Sequence, residues 1–168
     1  MLVASGALWT LCGMNILNRA VSSAFAILLV MASVAGAQGT LQVDGKDYKL
    51  ENVVAYETKS GDDKENVVLI TAKPIPMDEF KAKLKAGSVD NFFVFDPQVQ
   101  LTFDQAGKLQ SLFVWADNNS ISGGGSLDDA KVEASFAGGK AKGKVAVTKE
   151  ESDPKYKFDV SFDASIMK

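Results

Sequence analysis

Apolar and polar residues alternate with a period of two along much of this chain. The clearest segment is residues 156–166, where Tyr156, Phe158 and Val160 begin an apolar row and lysine, aspartate and serine fill most of the intervening positions. A helix would distribute these apolar residues around its circumference, whereas a strand places them on one face. The same alternation predicts strands at residues 48–57, 99–103, 130–136 and 144–149.

Three other runs are apolar on both faces, which is typical of strands inside a sheet or beneath a second layer. They are residues 67–70, 92–95 and 112–115. Turn-forming residues separate the runs at short intervals, and short connections favour antiparallel neighbours because a parallel crossover needs a dozen or more residues. We therefore predict an all-β domain of about eight mainly antiparallel strands, arranged as a sandwich or as a closed barrel.

One segment has the features of a helix. Asp78 can cap a first turn, and Phe80 and Leu84 lie four residues apart, on one helical face. Lysines then accumulate before Gly87, which is typical of a helix C-terminus. The sequence predicts one short inserted helix over residues 78–86, lying over an opening or an edge of the sheet.

The N-terminal segment has the pattern of an export signal. Arg19 is the only arginine of the chain, and the apolar run that follows it ends with the small residues Ala35 and Ala37. Signal peptidases accept this small-x-small pattern, so we predict cleavage before Gln38. A short basic start precedes the apolar run if translation begins at Met14, which we prefer to Met1 as the initiator.

These features divide the chain into a leader and one domain. We predict a signal peptide over residues 1–37 and a single secreted or periplasmic β domain over residues 38–168, with no stable membrane span once the leader is removed. The alternative is a membrane anchor through residues 20–37, a run near the lower length limit for crossing a bilayer.

Composition limits the chemistry available to residues 38–168. They contain no histidine, cysteine or arginine, which excludes imidazole and thiolate catalysis and the usual zinc sites. We therefore predict a non-catalytic protein without a cofactor, acting as a protein-interaction or structural module. The whole chain has 18 basic and 21 acidic residues and a net charge of −3. Because the two signs are interspersed, we expect no nucleic-acid partner.

Aromatic residues are the first candidates for a binding site. Phe92, Phe93 and Phe95 occupy one run, and Phe113 and Trp115 occupy another. Such residues would form a patch for an unknown protein partner. If the strands close into a barrel, they would instead line a cavity for a small apolar ligand, which is the alternative function. A third interpretation is that they fill the core.

Carboxylates are the remaining candidates for chemistry. Asp62, Asp63 and Glu65 fall close together in and after one predicted turn, and their oxygens would suit Ca²⁺. A calcium-dependent or carboxylate-based carbohydrate-active protein is therefore the third functional hypothesis. The three residues lack the regular acidic spacing of the common calcium loop, which makes them weak candidates, and a solvated turn is the alternative interpretation.

Overall fold

The computed structural model describes residues 36–87, 89, 95–122 and 127–168. Within these residues the chain forms ten strands, one α-helix and one turn of 3₁₀ helix at Leu127–Asp129. The elements are β1 (Gly36–Val43), β2 (Lys46–Leu50), β3 (Asn52–Ser60), β4 (Asp63–Thr71), α1 (Met77–Lys85), β5 (Gln98–Phe103), β6 (Leu109–Ala116), β7 (Asn119–Ser122), β8 (Lys131–Ala137), β9 (Lys140–Lys149) and β10 (Tyr156–Met167).

The strands form two five-stranded sheets that are joined through the end of β10. The first sheet has the order β2-β1-β10-β9-β8, and all its neighbours are antiparallel. The second sheet is the antiparallel meander β3-β4-β5-β6-β7. The end of β10 joins them through two parallel pairs, Ile166 with Ala55 and Met167 with Tyr56. The predicted all-β class is confirmed, and the layered alternative holds because the sheet is not closed into a barrel.

The second sheet lies across the first. At one end of β6, a Cβ atom built on Gly107 would lie 3.2 Å from the carbonyl oxygen of Ala134 on the edge strand β8. At the other end, the carboxylate of Asp117 bonds to Lys46 and Tyr48 of the opposite edge strand, β2. Five strands are roughly 19 Å wide and β6 is roughly 25 Å long, so β6 spans the first sheet from edge to edge. The two sets of strands therefore cross, as in orthogonally packed sheets joined by a strand that passes between them.

The main core lies between the two sheets. Phe103 of β5 is fully buried, and its ring centroid lies 4.9 Å from that of Phe136 and 6.3 Å from that of Phe162 in the first sheet. Alternation along the strands supplies the other inward side chains. They include Leu41, Leu50, Val68, Ile70, Val99, Leu101, Val114, Val145, Phe158 and Val160. The interior is thus filled by side chains from both layers.

The helix α1 covers part of the outer face of the second sheet. Phe80 is fully buried there, in an edge-to-face contact with Tyr56 at a centroid distance of 5.4 Å. Val67 and Leu69 of β4 pack in the same cluster. This contact explains why β4 is apolar on both faces. The predicted helix is confirmed, but Asp78 is not its cap. Pro76 occupies that position and Asp78 lies in the first turn, where its charge favours the helix dipole.

Several boundaries differ from the sequence predictions. The strand predicted at residues 48–57 is two strands, because the chain passes from the first sheet to the second at Glu51, whose N–H donates to the Thr71 carbonyl. Alternation continues across this corner and conceals it. β1 and β7 were not predicted. In the predicted strand at residues 92–95, Phe95 is not in a strand and the other positions lie outside the described residues. The remaining predicted strands are confirmed as β4, β5, β6, β8, β9 and β10.

Candidate functional site

The predicted aromatic residues occupy two separate places. Phe113 and Trp115 lie side by side on the outer face of β6, both half-buried, with stacked rings 6.2 Å apart. Phe95 is buried in the cluster beneath α1. Phe92 and Phe93 lie outside the described residues. The structure therefore pairs Phe113 with Trp115 and places Phe95 in a second, smaller core.

The candidate calcium ligands lie at the β3–β4 hairpin. Asp62 is in the turn, and Asp63 and Glu65 belong to the first residues of β4. Asp62 and Asp63 are exposed, and Glu65 is partly exposed. Among the described residues, no group of three or more histidine, cysteine, aspartate or glutamate side chains is placed to hold a metal ion.

The residues around the predicted cleavage bond fall in part within β1. Ala35 lies outside the described residues, whereas Ala37 is buried opposite Phe162 and Gln38 is exposed opposite Ser161. The predicted cleavage would therefore leave a β1 strand that begins at Gln38. No helix in the described part of the chain is long and apolar enough to cross a bilayer.

A groove that the sequence did not indicate lies between β3 and the C-terminal end of α1, and we call it the β3–α1 groove. It has a volume of about 400 Å³. Its lining includes Leu84 from the helix, Val89 from the segment after it, and Lys59 from β3, and Lys168 closes the end next to β10. The helix ends beside the groove because Gly87 adopts a positive φ of 66°, which turns the chain away from the helical path.

One side of the groove is an open strand edge. The hairpin of β3 and β4 has a two-residue turn with Gly61 at positive φ, so Ser60 and Asp63 form its first hydrogen-bonded pair. Hydrogen-bonded and non-hydrogen-bonded pairs then alternate, and Lys59 falls at a non-bonded position. Its N–H and C=O therefore point away from β4, and Lys59 is one of the residues that line the groove. The ladder with β10 ends at Met167, so no described strand pairs with Lys59 on that side.

The acidic residue in the groove is already neutralised. Glu57 accepts a hydrogen bond from Lys64 at 2.9 Å, and its side chain is 23% exposed. This bond lowers the pKa of Glu57, and the nearby charges of Lys168 and Lys59 add to the effect. The groove thus combines an open main-chain edge, apolar side chains and unneutralised lysines.

A polar cluster around Asp117 connects the two sheets. Asp117 accepts hydrogen bonds from Lys46 at 2.7 Å and from Tyr48 at 2.5 Å. The bond to Lys46 lowers the pKa of Asp117 and raises that of Lys46, while burial, followed by the bond to Asp117, raises the pKa of Tyr48. Asp96 accepts bonds from the backbone N–H groups of Asp117 and Asn118 and so holds the β6–β7 turn. We therefore interpret this cluster as a structural link between the two sheets.

The groove could be anticipated from the sequence only in fragments. The sequence indicated Leu84 as a contact residue of the helix and an accumulation of lysines near the helix C-terminus. The edge depends on where β10 meets β3, and no local pattern encodes that meeting. No family model, curated protein or solved structure matches this chain.

Proposed function

We propose that this domain acts outside the cytoplasm as a non-catalytic protein-interaction module that binds an extended segment of a partner protein in the β3–α1 groove. The segment adds as a strand beside β3, continuing the position that β10 occupies as far as Met167. The observation that supports the proposal is that β3 extends past its last ladder pair with β10 and that Lys59, in this unpaired stretch, lines a groove. Strand addition uses such an edge for affinity and the adjacent side-chain pockets for specificity.

The dimensions of the groove suit a short segment. β3 continues from Glu57 to Ser60 beyond its ladder with β10, a length of roughly 13 Å at the rise of a strand. About four residues of a partner fit beside it. Side chains alternate along an added strand, so every second one would face Leu84 and Val89.

The other edges of the sheets are less suited to this role. β8 is approached by the β5–β6 turn at Gly107, and β2 is tied to the β6–β7 turn through Asp117. β7 is open on one side among the described strands, but it has four residues and exposed serines. β2 also borders a depression of about 500 Å³, but that depression is lined by β1, β2 and β10, which already pair with one another.

A carrier of a small apolar ligand has less support. Such a carrier needs an internal cavity, commonly of 300–1,000 Å³. Between the two sheets, Leu101, Phe103 and Val114 are fully buried and pack in one cluster with side chains of the facing layer. The groove lies outside this core and is open to solvent, which favours an extended segment over an enclosed small molecule.

The proposal is tested by selecting a random peptide display library on the immobilised domain. We expect enriched sequences that bind the wild-type domain and lose binding to Lys59→Pro, because proline removes an N–H that faces the groove without removing a bond to β4. Lys59→Gln is the matched control for the lost charge. Ser120→Pro is the control for an edge proline elsewhere, since Ser120 occupies the equivalent non-bonded position on β7.

The site is then located by amide hydrogen exchange. Binding of a selected peptide should slow exchange of the Lys59 amide, and the amides of β7 should be unaffected. If every enriched sequence binds Lys59→Pro as well as the wild-type domain, or if protection appears elsewhere, strand addition in this groove is wrong.

A further inference from the structure

We infer, on the basis of the proposed function, that the partner segment is acidic and carries carboxylate side chains on both sides of one apolar side chain. The inference comes from the charges around the groove and from an adjoining hollow of about 730 Å³. The hollow is bordered by Lys81, Lys85 and Met167, and it shares Leu84 and Lys168 with the groove. The two depressions therefore form one continuous surface with an apolar centre.

Four lysines surround this surface, and all are exposed. Lys59 lies on β3, Lys81 and Lys85 on α1, and Lys168 after β10. Within the described residues none of the four makes an ion pair with an acidic side chain. Their positive charge is therefore available to a bound molecule.

Two of the nearby acidic residues form their ion pairs with other lysines. Glu57 is paired with Lys64, and Glu79 is paired with Lys83 at 3.5 Å. Asp62 lies in the turn of the β3–β4 hairpin, away from the lining of the groove. The C-terminus of α1 carries a partial negative charge, but the lysines in the last turn offset it.

The positive charge of this surface contrasts with the whole chain, whose net charge is −3. On the outer face of the first sheet, Lys142 is paired with Asp163 at 2.9 Å and Lys144 with Asp159 at 3.3 Å. Lysines there alternate with acids across neighbouring strands, whereas those around the groove have no such partners. Complementary charge of this kind selects a partner and speeds its encounter.

The apolar centre defines the middle of the segment. Leu84 is partly exposed and contributes to both depressions, and Val89 and Met167 lie on either side of it. A single leucine-sized side chain of the partner would contact Leu84 while carboxylates on either side approach the lysines. An acidic segment without an apolar residue would leave this centre unfilled.

The test uses peptides selected from the random library, each paired with a synthetic counterpart in which every Glu and Asp is replaced by Gln and Asn. We expect the selected peptides to be acidic, and the amide counterparts to bind about tenfold more weakly at low salt. This difference should shrink at high salt because exposed charges are screened. Fluorescence anisotropy of labelled peptides measures both effects.

A variant pair assigns the effect to the groove. The triple variant Lys59→Gln, Lys81→Gln and Lys85→Gln should abolish the preference for the acidic peptide. The triple variant Lys142→Gln, Lys144→Gln and Lys157→Gln changes the net charge equally on another face and should preserve it. Neutral or basic selected sequences, or equal binding of the amide counterparts, would overturn the acidic preference and leave strand addition standing. Absence of any peptide sensitive to Lys59→Pro would overturn the proposed function and this inference with it.

Discussion

Replacing Phe103 with alanine should lower the free energy of unfolding by about 3–5 kcal/mol. Phe103 is fully buried between the sheets and contacts the rings of Phe136 and Phe162. Removing a buried aromatic side chain forfeits about 2–3 kcal/mol of transfer free energy. The cavity and the lost ring contacts add about 1–2 kcal/mol more, because crossed sheets cannot collapse fully into the space.

The matched control is Phe113→Ala, the same substitution on the neighbouring strand. Phe113 faces the opposite side of the sheet, is half-buried and stacks on Trp115, so its loss should cost about 1–2 kcal/mol. Urea denaturation followed by far-ultraviolet circular dichroism measures both variants. Equal m values would show that the extent of unfolding is unchanged. Equal losses in the two variants, or a loss below about 1 kcal/mol for Phe103→Ala, would refute a core placed between the sheets.

Three further substitutions test other parts of the fold. Gly39→Ala should destabilise the domain by about 1–3 kcal/mol, since its Cβ would lie 2.5 Å from the Asp159 carbonyl oxygen and 2.7 Å from Cγ1 of Val160; an unchanged melting temperature would contradict this close approach. Gln98→Met should raise stability by about 1–3 kcal/mol, because the fully buried Gln98 amide makes no hydrogen bond with the described residues; a fall in stability in urea denaturation would show that the amide is satisfied. Burial raises the pKa of Tyr156 above its usual value of 10.0. The neutral phenol therefore contributes its full stability at a pH below the pKa that Tyr156 has in the unfolded chain. This contribution is lost as the pH rises through the pKa of the folded protein. Tyr156→Phe should therefore reduce the loss of stability above pH 10, and an unchanged alkaline profile in denaturation experiments would exclude this contribution.

The architecture was predictable wherever one face of a strand is buried. Residues 156–166 alternate cleanly because β10 lies in the middle of the first sheet with its apolar row against the core. β7 escaped prediction because it has four residues, and Ile121 is its one apolar side chain. β1 escaped because its first residues, Gly36 and Ala37, continue the apolar run of the predicted leader. The alternation of apolar and polar residues therefore does not predict a strand that is very short or that overlaps the apolar run of the predicted leader.

The candidate site was less predictable than the fold. The sequence singled out Phe113 and Trp115, which do lie together, but the groove arises from the relative lengths of β3 and β10. These strands are separated by about a hundred residues along the chain, and pairing at that distance depends on the packing of both sheets. The sequence predicted that Leu84 is a contact residue of the helix. It did not predict that Lys59 and Lys168 line the same groove as Leu84.

The central position of β10 sets the order in which this protein can fold. The meander from β3 to β7 is contiguous in sequence and makes its pairings over short loops, so it can form early. β1 can pair early with β2, but its other edge stays unpaired until β10, the last strand within residues 36–168, has been synthesised. A nascent or truncated chain without β10 would expose the apolar faces of β1, β9 and the meander together, which is a hazard for aggregation. Pairing of β10 with β1, β9 and β3 is therefore required before the two sheets are complete and joined.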